Sequence, residues 1–406
     1  MTSKHLECLN RPRDARPVSR RGFLGLSLGA LTAWLTGCRP APDTATLRPS
    51  PASTAGASPT RPPAPTAEAS PSASLSPVSP TATPIPPTYT PVPATAMVPP
   101  SPTPGPAPAL NRASLMAHWP AATTSRVVVV RHGSVWAGDA PDMEIVLQML
   151  DAGLRTLTGA SDAVVVWRTL FEPDEQVLLK VNCIAYGGPT QPAVAYGVAR
   201  RLQDAGLPAE NILIFDRTDN ELIAASYELN EGGPGVQCHG ARGEGSEAAL
   251  TQASVRFYQE LDACSAIVNI PTPKQHGGAG VSVALKNHYG SVNRPGSLHG
   301  NWCDPAIAEL NAQPNIRDKT RLIVGAALNV SPCDWNQPER ENGLIFSFDP
   351  VALDTVGRDM LVRHRQAMGL DVGYLIEGAR HLSTAQSLGL GTTDANQIDL
   401  REVVLG

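Results

Sequence analysis

Three lysines, two asparagines and two histidines stand out in this chain because of where they fall relative to its apolar runs. Lys180 and Asn182 lie at the end of the run Val177-Leu178-Leu179-Lys180-Val181. Lys274 and His276 follow the run Ala266-Ile267-Val268-Asn269-Ile270 after a Pro-Thr-Pro bend; Lys286, Asn287 and His299 come soon after. Three ammonium groups meeting at one place repel each other unless an anion sits between them. The set therefore predicts a pocket for a small phosphate- or carboxylate-bearing ligand. In this reading Lys180, Lys274 and Lys286 supply charge, Asn182 and Asn287 orient the ligand by hydrogen bonds, and His299 joins the ligand-binding set. His276 is the candidate for proton transfer, since an unperturbed imidazole titrates near neutrality. Lys274 and Asp349 complete the candidate catalytic group. Asp349 would orient a His or Lys, or hold a metal, although an Asp before Pro350 is also an ordinary helix cap.

Each of these residues has a plainer reading when taken singly: a solvated strand-end lysine, or a histidine hydrogen-bonded within the fold. It is their concentration within residues 274–299 that favours a site. A metal is the competing chemistry. His276, His288 and His299, with Asp216 or Asp349, have the donor types for a nitrogen/oxygen shell, but no local His spacing supports one, and the metal is left unassigned. No Gly-x-Ser-x-Gly nucleophile elbow is present. Of the 7 cysteines, Cys183, Cys238, Cys264, Cys303 and Cys333 lie in the region expected to fold, and no two form a Cys-x-x-Cys pair. The spacing argues against an iron–sulfur cluster. Trp302-Cys303-Asp304 and Cys333-Asp334-Trp335 mirror each other. A Cys303–Cys333 disulfide and two buried small hydrophobes are both open readings.

The elements that must position these residues alternate between two periods. Arg126–Val130, Gln176–Val181, Asn211–Phe215, Ala266–Ile270, Arg321–Ala326 and Leu344–Phe348 read as strands, with a short one at Gln397–Leu400. Helices are expected from Pro141 to Gly159, from Gln191 to Ala205 with Thr190 as cap, over Gly280–His288, from Asp304-Pro305 to Asn311, after Pro350, and over Tyr374–Leu388. Gly277-Gly278-Ala279-Gly280, placed ahead of one of these, would offer backbone amides to an anion. Glu228–Gly245 is Gly-rich and reads as a long loop. Strand–helix alternation predicts an α/β fold: a mostly parallel or mixed sheet with helices on both faces.

Ahead of this region lie two segments of different character. Residues 1–38 carry Ser19-Arg20-Arg21-Gly22-Phe23-Leu24, an apolar run of about 13 residues, and Leu35-Thr36-Gly37-Cys38. The Arg20-Arg21 pair reads as a twin-arginine export signal, and the last four residues resemble a lipobox in which Cys38 takes the lipid. The expected partners are then the twin-arginine translocase during export and a membrane reached through the lipid anchor. The expected location is the outer face of the cell membrane or the cell envelope. Residues 39–110 hold more than half of the 39 prolines and almost no large apolar residues, the composition of a disordered linker. Residues 111–406 form the α/β domain. A net charge of −5 gives no basic field for nucleic acid.

Lys180-Val181-Asn182, Pro273-Lys274-Gln275-His276, Leu285-Lys286-Asn287, His299 and Phe348-Asp349-Pro350-Val351-Ala352-Leu353-Asp354 together resemble the family called domain of unknown function 362. Gly389-Leu390-Gly391 is similar to that family's ending, and the resemblance covers most of Arg126 to Leu400. It implies no settled activity. Some members carry a ferredoxin-like iron–sulfur module; the cysteine run that binds the cluster is missing here. The leading expectation is an exported, lipid-anchored protein that binds a small anionic ligand, with catalysis left open. A non-catalytic solute- or partner-binding lipoprotein and a metal- or iron–sulfur-dependent redox protein are the alternatives.

Overall fold

A computed structural model describes residues 111–116, 124–184, 188–334 and 336–406. The proposed signal and the proline-rich segment lie outside the described residues. A ten-stranded mixed sheet organises the rest. We number its strands β1 (Ser125–His132), β2 (Val177–Val181), β3 (Ile212–Phe215), β4 (Gln237–His239), β5 (Ala266–Ile270), β6 (Lys274–His276), β7 (Gly280–Ser282), β8 (Thr320–Asp334), β9 (Gln337–Ser347) and β10 (Ile398–Leu405). Their order is β10-β1-β9-β8-β5-β2-β3-β4, with β6 pairing β8 and β7 at one end. Only β9 runs against its neighbours along that path. The other pairs along it are parallel.

The central strands are buried on both faces, as their near-continuous apolar runs require. Alternate residues feed two separate cores. Val128, Leu179, Val268 and Val324 face one core. It is covered by α1 (Met143–Thr158), α2 (Ala163–Leu170) and α3 (Pro192–Asp204). Val129, Leu178, Ile267 and Ile323 face the other. There the cover is α4 (Ala284–Asn287), α5 (Ala306–Asn311), α6 (Pro350–Ala367), α7 (Gly373–Gly378) and α8 (Arg380–Ser387). Local chemistry sets the helix ends. The Asp142 side chain accepts from the amides of Glu144 and Ile145, and Gly159 closes α1 in the left-handed region. No helix among the described residues is long and apolar enough to cross a membrane.

Several sequence expectations are corrected. Thr190 does not cap α3; its hydroxyl donates to Ile270 O at 2.7 Å and accepts from the Asn182 amide at 2.9 Å, tying β2 to β5. The helix expected over Gly280–His288 is a β6–β7 hairpin followed by the four-residue α4. The chain turns at Gly280, whose φ is +67°, and a Cβ there would lie 2.7 Å from the Ala379 nitrogen. Gly277–Gly280 is therefore a hairpin turn and not the start of a helix. The expected last helix divides at Ala379, and the Gly-rich stretch contributes β4 at the sheet edge. Helix α2 was not anticipated, and the strands expected at Arg321–Ala326 and Leu344–Phe348 are parts of the longer β8 and β9.

Candidate functional site

The carboxyl ends of β2, β3 and β5 lie side by side, with Lys180 level with Phe215 on one flank and Asn269 on the other. Lys180 is fully buried. A buried ammonium needs a counter-charge and filled hydrogen-bond sites. Lys180 Nζ donates to Asp216 Oδ1 at 2.8 Å and to Val181 O at 2.6 Å. Asp216 Oδ2 accepts the Cys183 amide at 2.7 Å. From this pair an amide chain runs outward. Asn287 Nδ2 donates to Lys180 O and to Asn269 Oδ1, while Asn287 Oδ1 accepts from Asn182 Nδ2 at 3.1 Å. Asn182 Oδ1 in turn accepts from Lys274 Nζ at 2.6 Å, and Lys274 Nζ also donates to Ile184 O. Lys180, Asn182, Asn287 and Lys274, distant in sequence, thus share one network.

Lys286 occupies the same region from α4. Its ammonium lies 3.4 Å from His299 Nε2 and 4.1 Å from the Tyr289 ring centroid. Among the described residues it makes no ion pair. His276 and His299 stack obliquely, ring centroids 5.4 Å apart. The His299 and Tyr289 rings pack edge to face, centroids 5.2 Å apart. Burial, reinforced by Lys286, pulls the Lys274 pKa down to about 7, and burial alone takes Lys286 down to about 8. Burial and the neighbouring cations drive His276 far below the usual imidazole range. The Gly278 amide donates to His276 Nδ1 at 3.0 Å, so the neutral ring carries its proton on Nε2. The region is electropositive and poor in compensating carboxylate.

Three side chains that the motif reading did not single out for the site also shape it. Asn269 is a lone amide in an apolar strand, which is the signal it gives in sequence; it donates to Ala284 O at 2.9 Å and holds α4 in place. Asp354, the last residue of Asp-Pro-Val-Ala-Leu-Asp, accepts from the Ala284 and Leu285 amides at 2.6 and 3.1 Å. It caps the helix that carries Lys286 and Asn287. Burial pushes its carboxyl up to about 8. His381, on α8, is wholly buried with neither ring nitrogen hydrogen-bonded among the described residues, and burial, reinforced by Lys286, lowers its pKa to about 3. Nothing in its local sequence marked it.

Other candidates fall elsewhere. Asp349 does not join the lysines. It sits at the opposite end of the strands, beside the first residue of β1. There Oδ1 accepts from Val351 and Ala352 amides at 2.8 Å, and Oδ2 accepts from Thr392 N and Ser125 Oγ. This is the cap of α6, the alternative open in the sequence. His288 is bound between Asn269 and Ser291. Asp216 is engaged with Lys180. Among the described residues no three His, Cys, Asp or Glu side chains gather as a metal shell. Cys303 is free and buried, so it does not pair with Cys333.

No curated protein matches the chain. A crystal structure of a Thermotoga maritima protein, determined by a structural genomics consortium, is similar at 14% identity with a TM-score of 0.33. The likeness covers 62% of this chain and 60% of that one. A family model described as "Domain of unknown function (DUF362)" matches residues 177–359. That span holds every residue of the cluster except His381. It is over residues 177–359 that this chain is similar to that family.

Proposed function

We propose that this domain binds a small anionic ligand at the carboxyl ends of β2 and β5, between Lys274 and Lys286. One observation carries the reading: Lys286 is buried next to a second buried lysine and, among the described residues, makes no ion pair, with an imidazole and a phenol ring beside its ammonium. A buried ammonium without a counter-charge is costly, and an incoming anion relieves that cost. Lys180 has its own partner in Asp216 and belongs to the frame of the site. His276 and His299 flank the same space and supply groups for hydrogen bonding and proton transfer. Calorimetric titration with inorganic phosphate and with small carboxylates tests the reading. Lys274→Met should weaken binding about 10-fold or more, the worth of one charge-assisted hydrogen bond. Equal affinity in wild type and variant would refute it.

We also propose that the domain works outside the cytoplasm on a lipid tether. Arg20-Arg21, the apolar run and Cys38 support this. Cys38→Ser should move the protein from the membrane to the soluble fraction. An unchanged distribution would remove the tether from the proposal.

A further inference from the structure

We propose that Lys286 is an amine nucleophile that forms an imine with a small oxo acid, with His299 as its proton acceptor. This rests on the anion-binding reading and gives the ligand a chemical class. The geometry has the three parts of an activated nucleophile: a nucleophile, a base within reach, and a group that fixes the base. His299 Nδ1 lies 2.9 Å from Pro295 O, a carbonyl that only accepts, so Nδ1 carries the proton and Nε2 is left with its lone pair. That lone pair faces Lys286 Nζ at 3.4 Å. The Tyr289 ring closes one side of the amine, and the His276 ring lies beyond His299. Lys286 is buried while His299 is exposed, so the amine sits just inside a rim that the imidazole forms. Burial also lowers the cost of holding Lys286 neutral. Lys274 is the nearby cation for the ligand's carboxylate. Backbone strain gathers at the same rim: Asn301, Trp302 and Cys303 all have positive φ, between 50° and 60°.

The step balances without an oxidant or reductant. The Nζ lone pair forms the C–N bond while the carbonyl π bond breaks onto oxygen. One Nζ proton passes to His299 Nε2 and from there to that oxygen, giving a carbinolamine. The carbinolamine then loses its hydroxyl together with the second Nζ proton as water, leaving the imine.

Borohydride trapping tests this. Wild-type protein is incubated with pyruvate, reduced, digested and mapped by mass spectrometry, with lactate as the analogue that lacks the carbonyl. The expected result is a reduced adduct on the peptide holding Lys286, at about 10-fold or more the yield on Lys319, and none with lactate. Lys286→Met should abolish the adduct with its melting midpoint retained or raised. His299→Gln should slow trapping by about 10-fold or more and flatten its dependence on pH, while the final yield in excess pyruvate is unchanged. Binding of pyruvate and lactate without an adduct on Lys286, or labelling spread evenly over lysines, overturns the imine and leaves the anion site standing. If phosphate, pyruvate and lactate all fail to bind, the anion reading itself falls, and the imine with it.

Discussion

The two buried lysines make the ligand-free protein more stable as the pH rises above neutrality. Lys274 has a pKa of about 7 in the folded chain against 10.5 for the free side chain. Between those values the unfolded chain holds the extra proton, so unfolding becomes harder as protons grow scarce. Each such group contributes a slope of at most about 1.4 kcal/mol per pH unit. Lys274 is half deprotonated at about pH 7, so its share between about pH 7 and about pH 8.5 is about 1.5 kcal/mol of added stability. Lys286, at about 8, adds less over the same interval. Asp354, pushed up to about 8, titrates in the same window with the opposite sign, so the lysine share is read as the difference between wild type and Lys274→Met. His276, His288 and His381 are all held neutral by burial, and their contribution is complete once unfolded imidazoles lose their protons, above about 6.5. Cys183, Cys238, Cys264 and Cys303 are pushed up by burial, and they oppose the trend only when unfolded thiols ionise near 8.5, about the top of the range. The assay is urea denaturation of wild type and Lys274→Met at several pH values. The variant should lose about 1.5 kcal/mol of the rise, and saturating phosphate should flatten the wild-type curve by holding the ammonium forms. Parallel curves for the two proteins would refute the argument that burial holds Lys274 near its neutral form.

Asp216→Ala leaves Lys180 as a buried unpaired cation and strips the acceptor from the Cys183 amide; it should cost about 3–5 kcal/mol in urea denaturation, where a loss below about 1 kcal/mol would show the pair is expendable. Asp354→Ala removes the acceptor for the Ala284 and Leu285 amides and should cost about 1–2 kcal/mol. It should also weaken phosphate binding in calorimetry although Asp354 does not reach the site; unchanged affinity would mean that α4 holds Lys286 without it.

The sheet was legible because its strands are apolar on both faces. Val127 to Val130 are an unbroken β-branched run buried on both faces, and the Asp142 side chain and the left-handed Gly159 bound α1. The parts that were misread depend on partners far along the chain. Gly280 turns a hairpin because the backbone at Gly378 and Ala379 approaches it, a contact roughly a hundred residues away in sequence. Thr190 precedes a helix as a cap would, yet the Ile270 carbonyl competes for its hydroxyl. Within the Asp-Pro-Val-Ala-Leu-Asp motif the first Asp drew the functional reading, yet it is the second that supports the site, by holding the first amides of α4. His381 was invisible because a histidine inside a short helix carries no local signal of what its ring faces.

The three lysines that looked equivalent in sequence play different parts, and burial with charge explains why. Lys180 is a β2 residue held between β3 and β5, so Asp216 at the end of β3 neutralises it at 2.8 Å. A ligand gains little from a cation already paired, and its role is to fix Asn287 and, through Asn182, Lys274. Lys274 and Lys286 come from a hairpin and a short helix beyond the strand ends. Their described hydrogen-bond partners are neutral: an amide, a carbonyl and an imidazole. Neutral acceptors satisfy donors without cancelling charge, so these contacts leave the charge of Lys286 for a ligand to meet. A fold selecting only for stability would place methionine or leucine at those two positions. Retaining lysine there costs stability that a bound anion returns, and the pH-dependent rise in stability is the measurable form of that cost.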